Sequence, residues 1–508
     1  MSRHPVDFSR YRLARFSTLG LALLLTLVAL LDPMGATAHP PRSGPNVAAI
    51  DAFVETQMDR HRIQGLALAI TQGDEIVHVQ GYGTAGEGRP VRADTPFYIG
   101  SVTKSFTALA VMQLVEEGKI ELDRSVQDYL PWFEVADPDA SAQITVRHLL
   151  NQTSGLSRAS YADVPFSSGA SMEKAVKALA SARPTAPVGT EFQYFNQNYT
   201  TLGLLIEAVS GQTYGEYLAT NVFGPLRMER SFTSRTAAVG AGLAQGYNVL
   251  FGLPVPCTQP HLTYDLPAGF IISTAEDMSH YLIAQLNEGL YEGRRLISPA
   301  GLAEMHRPPD GVGGAYAMGW GVEEQDGRRL IRHDGTLETF YASVLLLPDQ
   351  GYGVALLANQ VSFPHMALAY KDIVQGVVGR LVGPEPDPGI STATVYLIVS
   401  VIAIGALALQ VRSLLRLGRW REQIQDRGST RRVLGTLWKL IFGIFVLLIL
   451  PWVLIQNAGL TATKVSLLNY LPDVTIWLGL MAALSLVEGV LRAWRLLRAP
   501  RGKKVEYA

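Results

Sequence analysis

The stretch Phe97-Tyr98-Ile99-Gly100-Ser101-Val102-Thr103-Lys104-Ser105-Phe106 decides the fold. Phe97 to Ile99 is β-prone, Gly100 permits a sharp turn, and Phe106, Leu109, Ala110, Gln113 and Leu114 follow at helical spacing. A strand that turns into a helix at Gly100 sets Ser101 and Lys104 on one face of the first turn, where the amine reaches the hydroxyl. Serine is a weak nucleophile until a neighbour takes its proton, and a desolvated lysine held neutral can take it. By itself the pattern carries little, because a Ser-x-x-Lys arises by chance about once in a chain of this length. A second copy, Ser171-Met172-Glu173-Lys174, precedes the run Ala175 to Ala182 and reads as a helix cap.

Two later motifs raise Ser101 above its twin. Tyr194-Phe195-Asn196 supplies a phenol that can relay a proton and an amide that can hold a substrate carbonyl. His333-Asp334-Gly335-Thr336 ends a β-prone run, and its glycine lets a substrate backbone lie against the strand. Taken singly, Tyr194 reads as a buried aromatic and His333 as a structural edge residue. In this order, after Ser101 and Lys104, they are far more informative.

The surrounding chain reads as an α/β unit. Gly65 to Thr71 and Glu75 to Gly83 are β-prone runs joined through Gln72-Gly73-Asp74, a hairpin signal. Arg329 to His333, Phe340 to Leu347 and Gly353 to Leu357 are strand-like again, and the middle is richer in helical patterns. First and last strands are therefore expected to share one antiparallel sheet, with the middle helices as an inserted lobe.

Bulk properties narrow the function. At 508 residues more than one folded unit is expected. The 43 Lys and Arg nearly cancel the 44 Asp and Glu, so no global field favours nucleic acid as a partner. Cys257 stands alone, which excludes an internal disulfide and a cysteine-rich metal site, and no His-Glu-x-x-His occurs. Neither a metal nor a cofactor is expected. The mean hydropathy of +0.16 is high for a wholly soluble enzyme and directs attention to lipid.

Residues 1–38 have the layout of a secretory signal. Arg3, Arg10, Arg12 and Arg15 precede the apolar run Leu19 to Leu31, and Ala36-Thr37-Ala38 offers a cleavage site. The α/β unit, taken over 46–382, is followed by a linker over 383–393, with Pro384, Pro386 and Pro388, and by apolar segments at 394–411, 433–455 and 474–491. Arg412, Arg416, Arg419, Arg421, Arg427, Arg431 and Arg432 lie between the first two, and the tail over 492–508 is basic, whereas Lys464 is the one basic residue between the last two. By the positive-inside rule, the arginine loop and the tail are cytoplasmic and the main unit is outside. Lys439 and Glu488 fall inside apolar segments, where a charge is often functional, but lie near the expected cytoplasmic ends and are read as snorkelling or end fraying.

Together these motifs resemble the serine beta-lactamase and penicillin-binding protein superfamily, especially its class C-like branch with related esterases and D-amino-acid peptidases. Supporting stretches are His148 to Leu156, Pro267-Ala268-Gly269-Phe270 with Ser273 to Asp277, and Gly319-Trp320-Gly321. The resemblance implies an antiparallel sheet flanked by terminal helices, plus a helical lobe, here followed by three transmembrane helices. It implies Ser101 as the acylated nucleophile, Lys104 and Tyr194 as proton-transfer partners, and Asn196, His333 and Gly335 as substrate contacts. The backbone N–H groups of Ser101 and Thr336 would form the oxyanion hole. Many beta-lactamases carry lysine where His333 stands, and a mostly neutral histidine is a weaker carboxylate anchor. The expectation is a membrane-anchored, extracytoplasmic serine hydrolase acting on N-acyl (D-)amino-acid or peptide amides, with the architecture of the prodrug-peptidase group that matures colibactin. An esterase, a weak beta-lactamase, and a penicillin-binding-type sensor or adaptor are the alternatives. Its partners would be a small-molecule or peptide substrate and the lipid bilayer, with a homodimer left open.

Overall fold

The computed structural model describes residues 45–161, 170–325, 327–385, 387, 389–417, 429–445 and 472–497. The expected signal segment, most of the arginine loop, the Lys464 loop and the end of the basic tail lie outside the described residues.

The main unit is built on one antiparallel sheet. Its strands are β1 (Gly65–Gln72), β2 (Glu75–Gly86), β3 (Arg89–Pro90), β6 (Gly321–Gln325), β7 (Arg328–Thr336), β8 (Tyr341–Leu347) and β9 (Tyr352–Ala358), in the order β6-β7-β8-β9-β1-β2-β3. A smaller sheet, numbered within the same series, has β4 (Gly246–Leu250) between β5 (Leu253–Cys257) and β10 (Gln360–Val361). The expected hairpin forms around Gly73, and the first and last strands do meet, with Ala69 opposite Ala355 and Leu68 opposite Leu356.

β1 is buried on both faces, and its period of two divides the core. Leu66, Leu68 and Ile70 join Leu345, Val354 and Leu356 in one cluster, against the terminal helices α1 (Val47–His61) and α5 (Tyr370–Val382). Ala67 and Ala69 turn to the other cluster, where their small side chains let α4 (Ala275–Leu286) lie close to the sheet. Each fully buried Leu or Ile contributes about 1.5–3 kcal/mol of burial free energy, so this alternation fixes the register. The inserted lobe is helical. It contains α2 (Thr103–Glu116) and α3 (Asn196–Ser210), which pack together.

Beyond residue 390 the described chain is mostly helical. α6 (Thr392–Leu415) and the first 24 residues of α8 (Pro472–Leu497) are long and apolar enough to cross a bilayer, with mean hydropathies of 2.3 and 1.9. Between them, α7 (Ser429–Ile444) has only a short apolar part, Val433–Ile444; the rest of the expected 433–455 segment lies almost wholly outside the described residues. The snorkelling reading of Glu488 is overturned. Glu488 is fully buried, 2.6 Å from Lys439 Nζ and 2.5 Å from an Arg492 guanidinium nitrogen. It also accepts hydrogen bonds from Gln410 at 3.0 Å and Ser413 at 2.6 Å. A carboxylate in an apolar layer is held by partners when a neighbouring helix supplies them, and here α6 and α7 both do.

Candidate active site

Ser101 sits where Phe97–Tyr98 ends and a 3₁₀ turn over Gly100–Val102 leads into α2. Gly100 has φ +52°, and a Cβ there would stand 2.6 Å from the Thr336 nitrogen. A Cβ on Gly335 would stand 1.9 Å from the Ile99 carbonyl oxygen and 2.9 Å from the Ser101 nitrogen. Both glycines are therefore needed for the end of β7 to lie against the serine turn, which brings the Ser101 and Thr336 amides together.

Lys104, in the first turn of α2, is fully buried. Its Nζ lies 3.3 Å from Ser101 Oγ, 2.9 Å from Asn196 Oδ1 and 2.6 Å from the Ala268 carbonyl oxygen. Burial pushes the amine below the usual lysine range; the charge of Asp265 opposes this and that of Arg158 reinforces it. Asp265 is buried too, and burial holds its carboxyl above the usual carboxylate range. It accepts from Asn196 Nδ2 at 3.1 Å and from Thr200 Oγ1 at 3.0 Å. Asn196 thus bridges the amine and the carboxylate, a link that sequence reading missed. Ala268 belongs to the stretch Pro267-Ala268-Gly269-Phe270 already singled out, but Asp265 lies two residues before it, and a lone Asp before Leu-Pro carries no periodic or spacing signal.

Tyr194 enters two residues before α3. The Gln152 side chain pins this entry by accepting from the Phe195 nitrogen at 3.0 Å and from Asn198 Nδ2 at 2.7 Å, in place of a helix cap. The Tyr194 ring lies 4.7 Å from Lys104 Nζ. Its hydroxyl is buried without a hydrogen-bond partner among the described residues. Burial raises this phenol well above its ordinary value, and the nearby Ser101 hydroxyl offsets only part of the rise. The group is therefore a protonated phenol near neutral pH.

His333 is 8% exposed, and both ring nitrogens are engaged. Nδ1 donates to the Asp334 carbonyl at 2.8 Å, which leaves Nε2 to accept from the Tyr316 hydroxyl at 3.2 Å. Burial, with help from the charge of Lys104, lowers its pKa to about 3, so the ring is neutral. Tyr316, absent from the sequence reading because it lies in a glycine-rich run, meets Tyr194 edge-on at 6.1 Å and His333 at 5.7 Å. The second Ser-x-x-Lys is separate from this cluster: Ser171 caps the helix Met172–Lys177 by accepting from the Lys174 nitrogen at 3.2 Å, and Lys174 is exposed. Among the described residues no group of His, Cys, Asp and Glu side chains is arranged to hold a metal.

Over the same unit the chain is similar to known proteins. The family model described as Beta-lactamase matches residues 50–376. Protein flp of Staphylococcus aureus (strain COL) is 30% identical over 314 residues, 61% of this chain and 62% of that protein, so the chain spans about three fifths of that relative's length. Penicillin-binding protein 4 of Amycolatopsis lactamdurans is 29% identical over 344 residues, 64% of this chain and 87% of that one. Among solved structures, the octameric penicillin-binding protein homologue from Pyrococcus abyssi superposes with a TM-score of 0.58 at 26% identity, over 67% of this chain and 78% of that one. A class C beta lactamase from Rhodobacter sphaeroides shares the fold, with a TM-score of 0.54 at 22% identity over 65% of this chain and 99% of that one.

Proposed function

Because the chain belongs to the beta-lactamase family, whose members are serine hydrolases, we propose that it hydrolyses amide bonds of N-acyl amino-acid or peptide substrates through an acyl-enzyme on Ser101. One observation carries this reading. Among the described residues Lys104 Nζ has three hydrogen-bonding neighbours, of which the Asn196 and Ala268 oxygens can only accept. A neutral amine has two N–H groups and one lone pair, so the two carbonyl oxygens take the N–H groups and the lone pair is left for the Ser101 hydroxyl.

Catalysis then proceeds in two stages. Ser101 Oγ attacks the substrate carbonyl carbon as its proton passes to Lys104, and the developing oxyanion lies on the Ser101 and Thr336 N–H groups. Tyr194, protonated and facing Ser101, relays a proton to the leaving nitrogen as the C–N bond breaks. Water attacks the resulting ester, its proton returns through the same groups, and the acid departs. Gly335 leaves room for substrate along β7, and Asn196 holds the substrate amide at the edge of its bridge. His333 offers no cation and no free nitrogen, so it orients Tyr316, and substrates relying on a fixed positive charge at this strand, such as beta-lactams, are poor ones. The apolar helices α6, α7 and α8 tether the enzyme as transmembrane segments, with the hydrolase unit outside the cytoplasm.

A fluorophosphonate probe tests the nucleophile: it labels the parent protein at Ser101, and Ser101→Ala abolishes labelling. Lys104→Ala slows labelling at least ~10²-fold. Turnover of N-acyl-D-amino-acid amides above p-nitrophenyl esters and a chromogenic cephalosporin supports the amidase reading. Labelling at Ser171 would overturn the site.

A further inference from the structure

We propose that the β4–β5 hairpin is a membrane-docking element that dips into the outer interfacial layer of the bilayer; this rests on the reading that α6 and α8 are membrane-spanning. The hairpin turn is Phe251-Gly252, with φ +50° and +78°. Such a two-residue turn favours Asn-Gly, because a bulky residue at positive φ is strained. Here the position holds an aromatic ring that is 37% exposed. Along β5, alternate residues share a face, and Leu253 and Val255 on that face are 62% and 38% exposed. Strain spent to present apolar groups to the outside marks a contact surface.

The turn sits where the spanning helices begin. A Cβ on Gly252 would lie 3.0 Å from Cβ of Tyr396, in the second turn of α6 and about 6 Å along the axis from Thr392 by the helical rise. The Phe251 backbone N–H is directed to the carboxylate of Asp473, the second residue of α8. Two further exposed apolar residues flank the same junction. Ile390, 51% exposed, immediately precedes the Ser391 cap of α6. Phe363, 54% exposed, lies two residues before His365, whose ring is 6.3 Å from that of Tyr396.

The occupant is a lipid layer rather than a strand of another protein. β5 is the edge of its sheet, and Pro254 and Pro256 remove two of the backbone donors a docking strand would need. An interfacial layer asks only for exposed apolar side chains, which Phe251, Leu253 and Val255 supply beside the start of α6.

The test uses the full chain reconstituted in phosphatidylcholine and phosphatidylglycerol vesicles. Cys257→Ser removes the native thiol, and an environment-sensitive dye is then attached at Leu253→Cys, at Leu397→Cys on α6, or at Ile76→Cys at the far end of the main sheet. Leu397 and Ile76 are 65% and 43% exposed. The inference expects spin-labelled lipid to remove most of the emission at 253 and 397, with little effect at 76. Quenching at 397 but not at 253, with 253 open to an aqueous quencher, overturns the hairpin alone. A dye at 253 shielded from both quenchers shows protein covering the face and also overturns it. Absence of lipid quenching at 397 overturns the membrane reading itself.

Discussion

Asn196 lies between Lys104 and Asp265, with its oxygen 2.9 Å from the amine and its nitrogen 3.1 Å from the carboxylate. One amide thereby fixes the direction of the bridge: its oxygen must face a donor and its nitrogen an acceptor. The carboxylate raises the affinity of the lysine for its proton while burial lowers it, and the balance sets how much amine is free to accept from Ser101.

Asp265→Asn tests that balance. Removing the negative charge leaves burial less opposed, so Lys104 gives up its proton at lower pH. The acid limb of kcat/KM therefore moves to lower pH, while the plateau falls because the bridge loses its anchor. The check is a pH profile of amide hydrolysis for parent and variant. A limb that stays in place or moves to higher pH would mean that it reports another group.

Gly335→Ala tests the contact between β7 and the serine turn. The new Cβ would stand 1.9 Å from the Ile99 oxygen, so the strand end must withdraw and the Thr336 amide with it. Single-turnover acylation should fall ~10²-fold or more, as when an oxyanion donor is lost. Gly118→Ala is the control. Its φ of +70° is equally unsuited to alanine but nothing lies within 4 Å, so it should cost about 1 kcal/mol of stability and leave acylation unchanged. Equal acylation rates in the two variants would sink the oxyanion assignment.

Buried histidines make stability fall in acid. Desolvation lowers His306 to about 3 and His61 and His365 to about 4, against ~6.5 in an unfolded chain. Because the folded values are the lower ones, the unfolded chain binds more protons as pH drops below ~6.5, and stability is lost from there down to the folded values. Above ~6.5 both states are neutral and these groups add no slope. Asp265 and Asp277, held above the usual carboxylate range, act in the opposite sense, so the informative comparison is between variants. His306→Gln, which can keep a bond to Gln285, should show a smaller drop in Tm than the parent between about pH 7 and about pH 4.5.

Much of this was legible from local pattern. Ser101 and Lys104 share a helical turn and the strands alternate with period two, so spacing made the pair a candidate and the later motifs singled it out. Capping chemistry separated Ser171 from Ser101, since a serine before a short helix bonds the backbone rather than the lysine side chain. Tyr194, Asn196 and His333 were named from their order along the chain, but their surroundings were not. Asp265 acts through a contact made only when two helices and a loop converge, and Tyr316 reaches His333 from a segment without periodicity. Glu488 was misjudged for a related reason. Distance to a helix end is a one-dimensional measure, whereas Gln410, Ser413 and Lys439 reach it from two other helices.

That carboxylate also bears on how the chain is made. Lys439 precedes Glu488 by 49 residues, so during synthesis the cation emerges well before its counter-charge. In a bilayer α7 would have to wait, with its lysine unneutralised, until α8 arrives. On the proposal that both helices span a bilayer, they enter lipid as a pair, and a ribosome paused between them holds an intermediate that the insertion machinery must shelter.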